Sequence, residues 1–142
     1  MDLALAEARE AAMLGEVPVG AVVVRDGAVV AAAHNRVETD KDPTAHAELL
    51  AIRAAASALG APRLPDCDLY VTLEPCAMCA QAISFARIRR LYYGAPDPKG
   101  GGVEHGARIF GQMTCHHRPE VYGGIGDTDA AALLKEFFAK RR

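Results

Sequence analysis

Two short motifs, each of which opens a predicted helix, constrain the fold of this chain more than any other feature. The first is His46-Ala47-Glu48 and the second is Pro75-Cys76-Ala77-Met78-Cys79. Two thiolates and an imidazole are ligands that zinc favours, and a catalytic zinc keeps its fourth position open for water. If both helices begin at the same edge of one sheet, a metal held by His46, Cys76 and Cys79 lies between their first turns.

Glu48 follows His46 by two positions, and side chains two apart on a helix do not face each other. The two residues can therefore serve one centre only if that centre lies beyond the helix end. A carboxylate outside the ligand set is free to move protons to and from a water at the metal. Three ligands, one open position and one general base predict a hydrolytic site with one zinc per chain.

Other interpretations of the same residues remain open at this stage. A Cys-x-x-Cys pair also occurs in redox sites and in structural zinc sites. A structural zinc site would need a fourth protein ligand, for which His105, His116 and His117 are candidates. Cys67 and Cys115 stand alone in the sequence and are typical of small buried hydrophobic residues. A redox pair would leave the first motif without a role.

The pattern of apolar residues predicts an α/β fold. The 142 residues fit one domain, residues 1–142, and no repeat or linker divides them. Strands that alternate with helices imply a central mixed sheet with helices packed on it. Right-handed crossovers predict that the strands after the second and third helices are parallel neighbours. The predicted helices cover 2–14, 45–59, about 75–87 and a segment from 127 onwards, and the predicted strands cover 19–24, 28–33, 69–73, 91–94 and 120–122.

Particular residues set the predicted ends of these elements. Asp26-Gly27 predicts the turn of a hairpin. Thr44 is the predicted N-cap of the second helix, and Gly60 stands just past its end. Pro75 is predicted at the first position of the third helix, where its missing N–H costs nothing. Asp127 is the predicted cap of the last helix.

Charge and hydropathy limit the possible partners. The chain has 16 basic and 18 acidic residues, and a net charge of −2 gives no general attraction for nucleic acid or a membrane surface. No apolar run approaches the roughly 18 residues that a membrane span needs. The first residues lack the basic region of a secretory signal. We therefore expect a cytoplasmic protein with no membrane partner, in which any nucleic acid is bound by a local patch.

Two local runs of positive charge are candidates for such a patch. Residues 81–99 and residues 135–142 each contain an excess of basic residues over acidic ones. They are either solvated ends of a strand and a helix or a track for a polyanion beside the active site. Their basic residues are Arg87, Arg89, Arg90, Lys99, Lys135, Lys140, Arg141 and Arg142.

The two motifs and several longer stretches resemble the bacterial tRNA-specific adenosine deaminases of the cytidine deaminase superfamily. That superfamily has the pattern His-x-Glu followed by Pro-Cys-x-x-Cys. The resemblance extends over nearly the whole chain, from about residue 3 to residue 142. The stretches that carry it are residues 16–21, 35–36, 42–48, 69–76, 94–99 and 133–138.

This resemblance implies a three-layer α/β/α fold with a central mixed five-stranded sheet. By the same resemblance, His46, Cys76 and Cys79 hold zinc and Glu48 is the proton shuttle. The family converts the wobble adenosine of an arginine tRNA anticodon to inosine. Its members are homodimers in which each anticodon stem-loop touches both subunits. The residues that match the family's substrate contacts are Val17, Asn35, Ala47, Leu73, Asp97 and Lys99.

Two other functions remain compatible with the metal motifs. A deaminase of free purine bases, such as a guanine deaminase, would share the ligands but would need no basic track and would need a closed pocket. A non-catalytic zinc module that binds RNA would need a fourth protein ligand, and the sequence has no second Cys pair to supply one. Deamination of tRNA adenosine is the function that the resemblance favours.

Overall fold

The computed structural model describes residues 1–141, and a five-stranded mixed sheet forms its centre. The strands are β1 (Gly20–Arg25), β2 (Ala28–His34), β3 (Cys67–Leu73), β4 (Arg90–Ala95) and β5 (Glu120–Tyr122). Their order in the sheet is β2-β1-β3-β4-β5. β1 is antiparallel to β2 and β3, whereas β4 is parallel to β3 and β5. The predicted mixed sheet is confirmed, and so is the parallel pairing of β3 with β4.

Five α-helices surround this sheet within residues 1–141. They are α1 (Asp2–Met13), α2 (Val37–Asp40), α3 (Ala47–Leu59), α4 (Ala77–Phe85) and α5 (Asp127–Ala139). α1 packs on β1, β2 and β3, α5 packs on β3 and β4, and the two helices contact each other. α3 and α4 form the second helical layer. None of these helices is long and apolar enough to cross a membrane.

The main core lies between the sheet and the pair α3 and α4. Alternate residues of the central strands point towards these helices, because successive side chains of a strand face opposite sides. Small residues on the helices let them approach the sheet closely. The core includes Ala21, Val23, Leu69, Val71, Leu91 and Tyr93 from the strands, and Ala51, Ala55, Ala80 and Ile83 from the helices.

The start of α3 differs from the prediction. Its N-cap is His46, whereas Thr44 was the predicted cap. The Thr44 hydroxyl instead donates a hydrogen bond to Asp42 Oδ1 at 2.7 Å, which closes a local turn before the helix. Gly60 ends α3 in the left-handed conformation, as predicted.

The predicted starts of α4 and α5 are also wrong. The N-cap of α4 is Cys76, so Pro75 lies outside the helix, and its carbonyl accepts a hydrogen bond from Gly102 N–H at 2.8 Å. The N-cap of α5 is Gly126, and Asp127 is the first residue of the helix. The short α2 and a 3₁₀ turn at Ile109–Gly111 were not predicted, because three or four residues show no periodicity.

Candidate metal centre and active site

Three side chains with metal-binding atoms meet between the starts of α3 and α4. His46 is the N-cap of α3, Cys76 is the N-cap of α4, and Cys79 lies in the first turn of α4. His46 Nδ1 is 3.6 Å from Cys76 Sγ and 3.5 Å from Cys79 Sγ. The three ligand atoms lie within 4.8 Å of one another. The structure therefore brings the predicted ligands together between two helix starts, as their spacing predicts.

The donor set of this cluster fits zinc. Two sulfurs and one imidazole nitrogen are ligands that zinc prefers, and three protein ligands are typical of a catalytic zinc site. Neither His46 nor Cys76 uses its side chain to cap its own helix, so both are free to face the metal. No other His, Cys, Asp or Glu of residues 1–141 joins this group, which leaves the fourth position open.

The histidines considered for a structural zinc site do not approach the cluster. His105 Nδ1 lies 2.7 Å from Glu74 Oε1, and His117 Nε2 lies 2.7 Å from the carbonyl oxygen of Ile88. His116 is exposed. This arrangement argues against a closed, purely structural zinc site.

Without metal, the two cysteines of the cluster differ: the surroundings favour the thiolate form of Cys76, whereas the hydrogen bond with Cys76 and burial raise the pKa of Cys79. A hydrogen bond from Cys79, together with one from His46, lowers the pKa of Cys76 to about 4. The N-terminus of α4 carries a partial positive charge that acts in the same direction. The hydrogen bond with Cys76 raises the pKa of His46. Metal binding displaces protons from such ligands, because a metal coordinates the thiolate and the neutral imidazole.

Glu48 lies in the first turn of α3 and is only 4% exposed. It lines the same pocket as His46 and Cys76 but does not belong to the group of metal-binding atoms. Burial raises the pKa of Glu48 to about 7. A carboxyl group with a pKa near neutrality can both accept and donate a proton during a reaction.

A pocket of about 750 Å³ opens beside the cluster. Four predicted substrate contacts line it, namely Val17, Asn35, Leu73 and Asp97. Ala47 is fully buried and Lys99 is exposed, and neither lines the pocket. The structure therefore brings together four of the six residues predicted to contact substrate.

A hydrogen bond fixes the side-chain amide of Asn35. The backbone N–H of Ala47 donates to Asn35 Oδ1 at 2.8 Å. Since a backbone N–H can only donate, the accepting atom is the amide oxygen, and the NH₂ group remains as a donor. Ala47 thus acts on the pocket through its backbone, and Asn35 offers a hydrogen-bond donor at the pocket wall.

Comparisons with known proteins identify the family. A family model described as the cytidine and deoxycytidylate deaminase zinc-binding region matches residues 1–95. A tRNA-specific adenosine deaminase of Agrobacterium fabrum is 61% identical over 142 residues, which cover 100% of this chain and 93% of that protein. This chain belongs to the family of tRNA-specific adenosine deaminases.

Solved structures agree with this membership. A structure from a study of A-to-I editing by tRNA:A34 deaminases is 62% identical, with a TM-score of 0.93 over 94% of this chain and 97% of that one. The guanine deaminase of Nitrosomonas europaea is 26% identical, with a TM-score of 0.84 over 97% of this chain and 82% of that one. These structures confirm the deaminase fold, and the zinc-binding family model together with the ligand cluster confirms the zinc cofactor.

The end of α5 and a residue just after it border the pocket. Phe137, Phe138 and Arg141 line the pocket. The Arg141 guanidinium lies 4.1 Å from the centre of the Phe137 ring, and Arg141 donates a hydrogen bond to the carbonyl oxygen of Gly15 at 3.3 Å. Arg141 belongs to a basic run that is a candidate track for a polyanion beside the active site, whereas the positions of Phe137 and Phe138 at the pocket were not predicted.

Two buried glutamates that the sequence analysis did not assign hold segments of the pocket wall. Glu16 accepts hydrogen bonds from the backbone N–H groups of Glu38 and Thr39 at 3.1 and 2.7 Å, which caps the start of α2. Burial alone would raise the pKa of Glu16, but the hydrogen bonds from Thr39 and Glu38 lower it. Glu74 holds the segment that follows β4 in the same way. In the sequence, Glu16 precedes Val17 and Glu74 precedes Pro75. This is the only local feature that could have indicated that either glutamate is buried.

Ion pairs neutralise part of the predicted basic runs. Arg89 and Arg90 each form an ion pair with an acidic residue, so these arginines are poor candidates for a phosphate-binding track. Lys140 pairs in the same way one turn along its own helix. Arg142 lies outside the described residues. The ion pairs are Arg89–Asp68, Arg90–Glu120 and Lys140–Glu136.

Proposed function

We propose that this deaminase converts adenosine to inosine at the wobble position of a tRNA anticodon, with an arginine tRNA as its substrate. The main support for this proposal is that three potential zinc ligands, His46, Cys76 and Cys79, lie beside the buried carboxyl group of Glu48 at one open pocket. The 61% identity to a tRNA-specific adenosine deaminase supports a nucleic-acid substrate. Guanine deaminases match less well or less completely, at 26% identity over 97% of this chain in one case and at 48% over 67% in another, and they support a free base less well.

In this proposal His46, Cys76 and Cys79 hold the zinc ion. When bound, zinc supplies a Lewis acid that lowers the pKa of water to about 7 and so provides a nucleophile at neutral pH. Glu48 takes a proton from the attacking water and delivers it to N1 of the adenine. It then takes the proton of the new hydroxyl group at C6 and passes it to the amino group, which leaves as ammonia.

The remaining pocket residues bind and orient the nucleoside. The free NH₂ group of Asn35 donates a hydrogen bond to a heteroatom of the flipped nucleoside, while Val17 and Leu73 form apolar walls beside the base. Phe137 and Phe138 offer aromatic surface at the pocket. Such surface compensates for part of the stacking that a base loses when it leaves the anticodon loop.

The direct test uses zinc-loaded protein and an anticodon stem-loop with adenosine at the wobble position. We expect inosine at that position alone, measured by nuclease digestion and mass spectrometry. A stem-loop with guanosine at the wobble position is the matched control and should not react. Rapid ammonia release from free guanine, with no reaction on the stem-loop, would contradict the proposal and favour a free purine base deaminase.

Arg141 is expected to contact a phosphate of the anticodon loop, because it lies just after α5 and is the basic residue of this segment that lines the pocket. Arg141→Gln should therefore raise the KM for the stem-loop. It should also reduce the log–log salt slope of binding by about 0.7–0.9, since one phosphate contact releases its counterions. The measurement is KM across a salt series.

Lys135→Gln is the matched control for Arg141→Gln. It removes the same charge from an exposed position of α5 that does not line the pocket. An equal rise in KM for both variants would show an effect of net charge and would contradict a local contact by Arg141.

The proposal includes a homodimer in the cytoplasm. Phe85 of α4 is 64% exposed and borders a groove that Leu49 and Ile52 of α3 also line. A contiguous exposed apolar patch, unlike a single exposed residue, marks an interaction site. A tRNA substrate and thiolate ligands suit the reducing cytoplasm. Sedimentation velocity at micromolar concentrations should give a dimer, and a monomer would contradict this part of the proposal.

A further inference from the structure

Glu74 accepts five hydrogen bonds from a single loop, residues 97–105, which follows β4 and is here called the anchored loop. Its side chain is 0% exposed. Oε1 accepts from Asp97 N–H at 3.0 Å and lies 2.7 Å from His105 Nδ1. Because an ionised carboxylate can only accept, His105 Nδ1 carries the hydrogen. The backbone N–H groups that donate to Oε2 belong to Val103, Glu104 and His105, at 3.2, 3.0 and 3.1 Å.

Two glycines allow the anchored loop to reach this carboxylate and the metal-bearing helix. A Cβ on Gly101 would lie 2.5 Å from Glu74 Oε2. A Cβ on Gly102 would lie 2.5 Å from the backbone nitrogen of Ala77, the first residue of α4. Both distances are too short for any side chain. The loop therefore packs directly against the segment that carries Cys76.

The anchored loop also faces the active-site pocket. Asp97 and Gly100 line the pocket, and Gly100 N–H donates to Asp97 Oδ1 at 2.9 Å. The backbone of Asp97 is in turn held by Glu74. Lys99 of the same loop is exposed and does not line the pocket. The buried carboxylate of Glu74 thus holds the backbone of Asp97, a residue that lines the pocket.

We propose that Glu74 is a positioning residue for substrate binding, and that it acts with His105 by holding Asp97 at the pocket. Glu74 borders the pocket, but its side chain is 0% exposed, so its carboxylate acts through the loop and not by contact with substrate. The proposal rests on the proposed function, since it assigns the residues that shape the pocket for the nucleoside. It predicts an effect on KM that exceeds any effect on kcat.

The first test replaces His105, because its backbone donors survive any substitution. His105→Ala removes one hydrogen bond to a charged group and should raise the KM for the stem-loop roughly three- to tenfold. The kcat and the zinc content should remain close to those of the wild type. His105→Asn should restore KM, because its amide nitrogen is bonded to Cγ as Nδ1 is. His116→Ala, at an exposed histidine, is the matched control.

The second test is Glu74→Gln, which keeps the shape of the side chain but replaces one acceptor oxygen with a donor. We expect a KM increase of about tenfold or more and faster hydrogen exchange of the amides in residues 97–105. The amides of α3 should keep their protection. Asp68→Asn is the control, since it removes a carboxylate that pairs with Arg89 and not with this loop. If Glu74→Gln does not fold, the His105 series alone decides the question.

The outcomes separate this inference from the proposed function. An unchanged KM in His105→Ala, or a KM that His105→Asn fails to restore, overturns the positioning role. Faster exchange of the loop in Glu74→Gln without a change in KM overturns it as well. A wild type that turns over guanine instead of the stem-loop refutes the proposed function alone. The same variants are then compared on guanine, where an unchanged KM overturns the inference.

Discussion

Glu48→Gln is expected to abolish turnover while the zinc stays bound. Gln has nearly the size of Glu, so the packing around this buried position should persist. Glu48 does not belong to the ligand group, but an amide can neither take nor give the protons that the reaction moves. General acid–base catalysis contributes about 10²–10⁴-fold to a rate. Because Glu48 serves both proton transfers, we expect a loss at the upper end of this range.

The measurement combines single-turnover inosine formation with the zinc-to-protein ratio and the thermal unfolding midpoint of each variant. Glu10→Gln, at an exposed position of α1, is the matched control and should behave like the wild type. Wild-type turnover in Glu48→Gln would contradict the proton-transfer role. Loss of zinc from this variant would show that Glu48 acts as a ligand.

Cys79→Ala should empty the metal site and thereby eliminate activity. The substitution leaves only His46 and Cys76 of the three-ligand cluster. Cys79 is fully buried, so no exposed side chain can readily take its place. We expect less than about a tenth of the wild-type zinc content after dialysis against a chelator, because two protein ligands hold zinc less tightly than three. Elemental analysis of the dialysed protein measures this.

Cys67→Ala provides the matched control, because Cys67 is also buried but is the first residue of β3 and packs in the main core, away from the metal cluster. It should keep one zinc per chain and lose only some stability. Full zinc retention in Cys79→Ala would mean that the metal binds elsewhere. Equal zinc loss in both variants would indicate general loosening of the fold and would contradict a specific ligand role.

Local sequence patterns were sufficient for the strands and for the metal cluster. The five predicted strands lie within one or two residues of the observed ones, because alternating or continuous apolar residues are a local signal. The metal cluster was predictable because each half of it occupies a few consecutive residues. Joining the halves required only that both helices start at the same edge of the sheet.

The roles of Glu16 and Glu74, and the contact between Arg141 and Gly15, could not be predicted from local patterns. The partners of Glu16 and Glu74 are mostly backbone N–H groups that lie 22 to 31 residues away in the chain. Any residue type can supply such donors, so the sequence carries no signature of the partner. Arg141 meets Gly15 across 126 residues, at a contact that exists only after α5 packs near the first helix.

The errors at the helix starts have a related cause. Thr44 has a strong intrinsic preference for the N-cap position. The positions beside the metal cluster are nevertheless occupied by His46 and Cys76, whose side chains do not cap their helices. Ligand placement overrides capping preference at these two starts, and propensity alone therefore misplaces them.

Glu16 and Glu74 border the pocket, but their carboxylates are buried and hold neighbouring wall segments through backbone N–H groups. The chain therefore separates the groups that support the wall from the groups that face the substrate. Substitutions at Val17, Leu73 or Asp97 can alter the pocket surface without removing the carboxylates that fix its loops. Substrate selectivity can therefore change by substitution while the loop structure is kept. A protein engineer can vary the residues that face the substrate and leave the two buried glutamates unchanged.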